Sequence, residues 1–182
     1  MTSRRLAITL ALALLTFRAL PAHAGRASEL SASSRAALKQ LYAKHPGART
    51  LGEKATAILV FPKILKAGFM VGAQGGDGAM LRGGKVIGYY RSLAGSYGFQ
   101  AGVQSFGYAL FFMNQAAIDQ LNDTDGWEIG TGPSLVLVDE GFAKSMTTNT
   151  LTSDVYAYTF NQKGLMGGIG LQGSKITRIR PK

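Results

Sequence analysis

Ser92-Leu-Ala-Gly-Ser-Tyr-Gly-Phe-Gln-Ala-Gly-Val-Gln104 is the stretch that decides how this chain is read. Every second residue from Leu93 makes one face: Leu93, Gly95, Tyr97, Phe99, Ala101 and Val103. The alternate face, Ala94, Ser96, Gly98, Gln100, Gly102 and Gln104, carries nothing bulky and apolar. A period of two marks a β-strand, whose side chains point to opposite sides in turn. At ~3.3 Å per residue, a strand through this stretch spans roughly 43 Å, longer than most. It therefore reads as one strand bent at its glycines, or as two strands run together. The large face is expected to meet a core, and the small face a closely approaching neighbour.

Working outward, Leu165-Met-Gly-Gly-Ile-Gly-Leu-Gln-Gly173 repeats the design. Its faces are Leu165/Gly167/Ile169/Leu171 and Met166/Gly168/Gly170/Gln172. Upstream of the central stretch, Gly83-Gly84 joins Ala79–Arg82 to Lys85–Arg91, a strong two-residue hairpin signal. Further back, Gly75-Gly-Asp-Gly78 reads as a turn after the alternating Lys66–Gln74, and Ala57–Phe61 as a short strand ended by Pro62. Ser28–Lys44 has helical spacing, with Leu30, Leu38, Ala37, Leu41 and Tyr42 on one side; Ser28 is a plausible N-cap and His45-Pro46-Gly47 a stop.

Downstream, Phe106–Met113 is an aromatic-rich strand, and Asn114 is placed to cap a short helix through Leu121. A polar turn, Asn122–Gly126, leads to Trp127; Ser134–Val138 reads as a buried strand and residues 145–153 as a loop or solvated edge. Val155–Phe160 and Lys175–Arg180 complete the strands. All but three of the 24 glycines lie between Gly68 and Gly173, which suits turns and close-packed sheet rather than helices. The expected fold is α+β: a glycine-rich antiparallel β sandwich or partly closed barrel, with an N-terminal helix and one short internal helix.

Residues 1–24 read as a signal peptide: Arg4 and Arg5, an apolar run from Leu6 to Phe17, then Ala22-His23-Ala24 as a cleavage site. The run falls short of the ~20 residues that span a bilayer as a helix. Residues 25–182 then form a single domain, exported and periplasmic or peripheral on a membrane, with secretion as the alternative. The formal charge of +10 becomes +7 without the leader, since 17 basic residues then face 10 acidic ones. Such a field favours anionic partners without choosing among them. With no cysteine, disulfides, thiol chemistry and N-terminal lipidation through cysteine are excluded.

The catalytic inventory is poor. His45 is the only histidine beyond the leader and reads as a surface residue. Ala94-Gly-Ser-Tyr-Gly98 imitates a nucleophile elbow, but Ser96 lies inside an alternating strand and no histidine follows. Gly168-Ile-Gly-Leu-Gln-Gly173 spells G-x-G-x-x-G without the helix and downstream acid that a dinucleotide site requires. Asp123-Thr-Asp125-Gly126 does not fit the register of an EF-hand and reads as a turn. No enzyme activity, cofactor, metal or nucleic-acid partner is expected.

What remains is basic charge beside apolar surface. Lys63 and Lys66 bracket Ile64-Leu65; Arg82, Lys85 and Arg91 cluster around the Gly-Gly hairpin; Arg35 and Lys39 lie on the first helix. Converging, they would make an anionic-headgroup surface, each cation near a membrane adding roughly 1 kcal/mol. Lys63 and Lys66 can reach one bilayer together only if Pro62 holds their stretch as a loop.

Four motifs add a resemblance. Phe61-Pro-Lys-Ile-Leu-Lys-Ala-Gly-Phe69, Gly72-Ala-Gln-Gly-Gly-Asp-Gly78, Asp125-Gly-Trp-Glu-Ile-Gly130 and Lys163-Gly-Leu-Met-Gly-Gly-Ile-Gly-Leu-Gln-Gly-Ser-Lys175 resemble the SYLF domain family, in the family's order, from about Leu51 onward. The resemblance implies a non-enzymatic binding domain. Eukaryotic members bind phosphoinositides and, in yeast, actin filaments; bacterial members are exported and regarded as lipid-binding. Leu171-Gln172-Gly173 departs from the Leu-Glu-Gly of many members. The expected function is binding of anionic phospholipid at a periplasmic membrane face, with an envelope scaffold that binds another protein through an exposed edge as the alternative.

Overall fold

The computed structural model describes residues 25–123, 126–138, 151–164, 171 and 173–181, with 69–70 and 96–101 by backbone alone. Among the described residues there are three helices: α1 (Arg26–Lys44), α2 (Pro46–Lys54) and α3 (Gln115–Asn122). Six described strands share one sheet: β1 (Ala57–Arg82), β2 (Lys85–Phe112), β3 (Trp127–Glu128), β4 (Leu135–Val138), β5 (Val155–Gly164) and β6 (Lys175–Ile179). The fold is α+β, a sheet curled into a half-barrel rather than a sandwich. The described strands pair antiparallel except β4, which runs parallel to β5.

The hairpin β1–β2 dominates. Its register runs unbroken in direction from Arg82↔Lys85 beside the turn to Ala57↔Phe112. Gly83 and Gly84 have φ of 55° and 77°, the left-handed pair that a two-residue hairpin turn demands. Laid flat, the 26 residues of β1 would cover about 86 Å, far more than a domain of this length can accommodate.

The hairpin therefore doubles back. A Cβ added at Gly78 would strike the Val60 carbonyl and the Phe61 ring, and one at Gly76 would strike the Lys63 carbonyl and Ile64. The second half of β1 thus lies against its first half, with the corner near residues 69–70. There the β2 register skips from Gly98 to Gly102 while β1 advances only from Met70 to Gly68. Gly75–Gly78, read as a turn, is instead continuous strand whose small residues permit this overlay. Pro62 does not end a strand either; it sits in the bulge between Phe61 and Ile64.

β2 is the hub of the sheet. On its other edge it pairs with β6 over Tyr89–Leu93 and with β5 over Gln104–Phe112. At the base of the hairpin both sheet faces are covered. Leu59, Phe61, Tyr108, Leu110 and Phe112 pack inside with Ile118, Leu121 and Trp127. Ile58, Val60, Ala109 and Phe111 pack outside with Ala37 and Leu41 of α1 and Ala48 and Leu51 of α2. Double cover explains the unbroken apolar runs at 57–61 and 108–112.

At the corner the expected facing is reversed. Leu93 and Val103 are exposed, whereas Ser92 and Gln104, on the alternate face, are buried. The inner face of the curl here is polar: Gln74 Nε2 donates to Ser174 Oγ at 3.2 Å, and Ser92 and Gln104 lie nearby on the same side. Polar Gln74, Ser92 and Gln104 are buried on the inner side, while Leu93 and Val103 face outward. The equivalent reading of Leu165–Gly173 falls mostly outside the described residues, as do the leader and residues 145–150 of the expected loop.

The helices also depart from expectation. α1 begins at Arg26 after Gly25, with Ser28 Oγ donating to the Gly25 carbonyl at 2.7 Å rather than capping a helix of its own. Pro46 does stop α1, but it then opens α2 at a first-turn position, where the missing N–H costs nothing. His45, at the junction, is half-buried with its ring 5.0 Å from that of Tyr158. Asn114 caps α3 as expected, its side chain accepting from Ala117 N at 2.8 Å.

Candidate basic groove

The doubled hairpin brings its two ends together. The start of β1 and the Gly83-Gly84 turn meet under α1 and α2, leaving an open groove of about 410 Å3. Its floor and walls include Leu38, Tyr42, Ala55, Ile58 and Leu81, while Arg35, Lys39, Arg49 and Arg82 supply the charge. The four cations come from three parts of the fold: Arg35 and Lys39 from the exposed side of α1, Arg49 from α2 and Arg82 from the end of β1.

Two of these side chains are held in place. Arg35 Nε donates to the Gly84 carbonyl at 3.4 Å, tying α1 to the turn, and Arg82 Nη2 donates to Gln115 Oε1 at 2.8 Å. Arg49 lies over the Tyr42 ring, its guanidinium carbon 6.0 Å from the centroid. An added Cβ at Gly52 would fall on the Tyr42 hydroxyl, so this glycine lets the phenol lie between the helices. Burial, and secondarily Glu53, push the Tyr42 hydroxyl up to about 12, with Arg49 opposing. The phenol stays protonated and can donate a hydrogen bond at any physiological pH. Cations, one fixed hydroxyl and an apolar wall together suit a phosphorylated group attached to something greasy.

The seven cations singled out from the sequence do not form one surface. Arg35, Lys39 and Arg82 line the groove, while Lys85, exposed next to Gly84 in the chain, is not among its lining residues. Arg49 was missed because it belongs to α2, the helix that the proline concealed. Arg91 is committed elsewhere: its Nε and Nη2 donate to Asp77 at 2.7 and 3.0 Å, and Arg26 reaches the same carboxylate at 2.9 Å. These contacts, the Arg91 hydrogen bonds foremost, hold the Asp77 carboxyl below its ordinary range.

Lys63 and Lys66 lie away from the groove, and not in a loop. Lys63 is exposed in the β1 bulge, while Lys66 pairs with Gln104, on the inner side, and is half-buried. Among the described residues, no group of three potential metal-ligating side chains occurs, and no helix is long and apolar enough to cross a membrane.

The curled sheet, its outer helices and this groove define a small α+β half-barrel domain with a basic site at its hairpin end. Residues 93–180 match the sequence model of the Ysc84 family, described as Las17-binding protein actin regulator. Ysc84 is the SYLF family, and residues 93–180 are similar to it. No curated protein matches the chain. The matched residues begin after Arg35, Lys39, Arg49 and Arg82, so the groove is built wholly by the part of the chain that precedes them.

Proposed function

We propose that this protein is a non-enzymatic binder of anionic phospholipid, acting after export at a periplasmic membrane face. The groove carries the reading. Four cations, with no carboxylate among the described lining residues, surround an apolar floor, an arrangement suited to a phosphate with its glycerol or acyl portion beside it. The charge of the whole chain would draw the domain to an anionic surface, and the groove would hold a single headgroup.

Vesicle co-sedimentation tests it. The protein should pellet with phosphatidylglycerol vesicles, leave phosphatidylcholine vesicles alone and release as salt rises. Arg35→Glu/Arg49→Glu should weaken binding at least tenfold, about 1.4 kcal/mol. Equal pelleting with both lipids at all salt concentrations would sink the proposal.

A second reading has its own support. The family description names a Las17-binding actin regulator, and a protein partner is the coarser role this suggests. β4 is the outermost described strand on its side of the sheet, and Leu137 on it is exposed. An extended peptide could add to such an edge. Capture of an envelope protein that Leu137→Asp abolishes, without any vesicle binding, would favour this scaffold role over the lipid one.

A further inference from the structure

The hairpin corner presents the opposite surface to the groove. On its convex side Leu65, Val71, Leu93 and Val103 are 49%, 66%, 54% and 61% exposed. Directly paired residues of antiparallel strands share a face, so the ladder shows what surrounds them. Leu65, Ser105 and exposed Lys163 form one row across β1, β2 and β5. Gly75, Leu93 and exposed Lys175 form another across β1, β2 and β6, ending at Glu128. Lys63, in the bulge, is exposed two residues before Leu65. The nearest acid along β1, Asp77, is occupied by Arg91 and Arg26.

Large aliphatic side chains are normally scattered singly on a surface; four around one bend, edged by lysines, make a patch. Among the described residues, β5 pairs with β2 from Gln104 onward and β6 only as far as Leu93, on either side of the bend. We propose that this corner is a membrane-inserting surface, in which Leu65, Val71, Leu93 and Val103 enter the interfacial layer of an anionic bilayer and Lys63, Lys163 and Lys175 meet its phosphates. The lysines select a bilayer over an apolar protein partner or a second copy, because like charges would face each other across a self-contact. The proposal rests on the lipid-binding reading but uses none of the groove residues.

Two measurements test it on the purified protein with phosphatidylglycerol vesicles. Val71→Trp should be quenched by lipid brominated on its acyl chains at least twice as strongly as the wild type, whose Trp127 is buried. Val71→Asp/Val103→Asp should keep the parent melting temperature and lose at least tenfold in vesicle affinity. Absence of extra quenching in vesicle-bound Val71→Trp, or unchanged affinity of the aspartate variant, overturns the corner. If vesicle binding is instead abolished by Arg35→Glu/Arg49→Glu while both corner variants behave as wild type, the lipid-binding reading stands and only the corner falls. A protein that binds no vesicles at all removes both. Lipid-independent dimerisation that Val71→Asp abolishes would assign the corner to a second copy, against the proposal.

Discussion

The base and the corner of the β1–β2 hairpin are built from the same two strands with the same alternation, yet they handle their large side chains in opposite ways. At the base, both faces meet a cover, and Val60 and Phe111 on one side are as buried as Phe61 and Tyr108 on the other. At the corner, the inner face is crowded by the strand's own return and takes Ser92 and Gln104, leaving Leu93 and Val103 to solvent. Alternation specifies that two faces differ. Which one is inside is specified by what packs on them, a long-range matter.

The contrast predicts very different costs for the same kind of change. Phe111→Ala, at the doubly covered base, should destabilise by ~3–5 kcal/mol, whereas Val71→Ala at the corner should stay within ~0.5 kcal/mol. Urea melts of the two variants measure this directly, and similar midpoints would mean that the corner is packed after all. Glycines should divide in the same way. Gly78→Val must displace the Val60 carbonyl or the Phe61 ring and should cost ~1–3 kcal/mol or more. Gly95, with no described atom within 4 Å of an added Cβ, should accept Ala nearly without loss. A Gly95→Ala variant melting as low as Gly78→Val would contradict the doubled path drawn for β1.

Acid should act more gently. Asp77 is held low chiefly by Arg91, and Asp154 by hydrogen bonds from Asn114 and Ser134. A carboxyl lower in the folded state stabilises it fully above its unfolded value, near ~3.9, and loses that contribution as pH falls through the folded one. Melting temperature should therefore hold from neutrality to about pH 5 and fall below about pH 4, less steeply in Asp77→Asn. An identical slope in that variant would show that the Arg26–Asp77–Arg91 cluster contributes nothing measurable, as many exposed pairs do.

Local chemistry was legible in the sequence. The Gly83-Gly84 turn, the Asn114 cap and the buried side of α1 at Ala37 and Leu41 each depend on a few adjacent residues, and each stands where the residues indicate. The α+β class and the SYLF resemblance followed from glycine-rich alternation and ordered motifs. What escaped was decided at a distance. Pro46 reads as a stop whether or not another helix starts on it, and only the docking of Ala48 and Leu51 against Leu41 and Ile58 makes α2. Gly75–Gly78 has turn composition, but the partner that explains it lies a dozen or more residues earlier in the same strand. The groove was half visible for the same reason: Arg35, Lys39 and Arg82 stood out as cations, while their convergence required the two ends of the hairpin to meet.

The nested register of that hairpin also imposes an order on assembly. Each pair becomes a short loop closure only after the pair nearer Gly83-Gly84 has formed, so the ladder is expected to zip from the turn outward. Midway it must bend, and only then can residues 60–64 find 76–78. β6 docks on Tyr89–Leu93 near the turn, whereas β5 docks on Gln104–Phe112 and waits for the segment beside Ala57, the slowest to arrive. Substitutions beside the turn should thus slow folding, and substitutions in β5 such as Val155→Ala should mainly hasten unfolding. Stopped-flow rates showing the reverse would place the nucleus in β5 instead. On this view the glycine corner is a kinetic joint: the point where a growing ribbon turns back and first becomes an enclosed body.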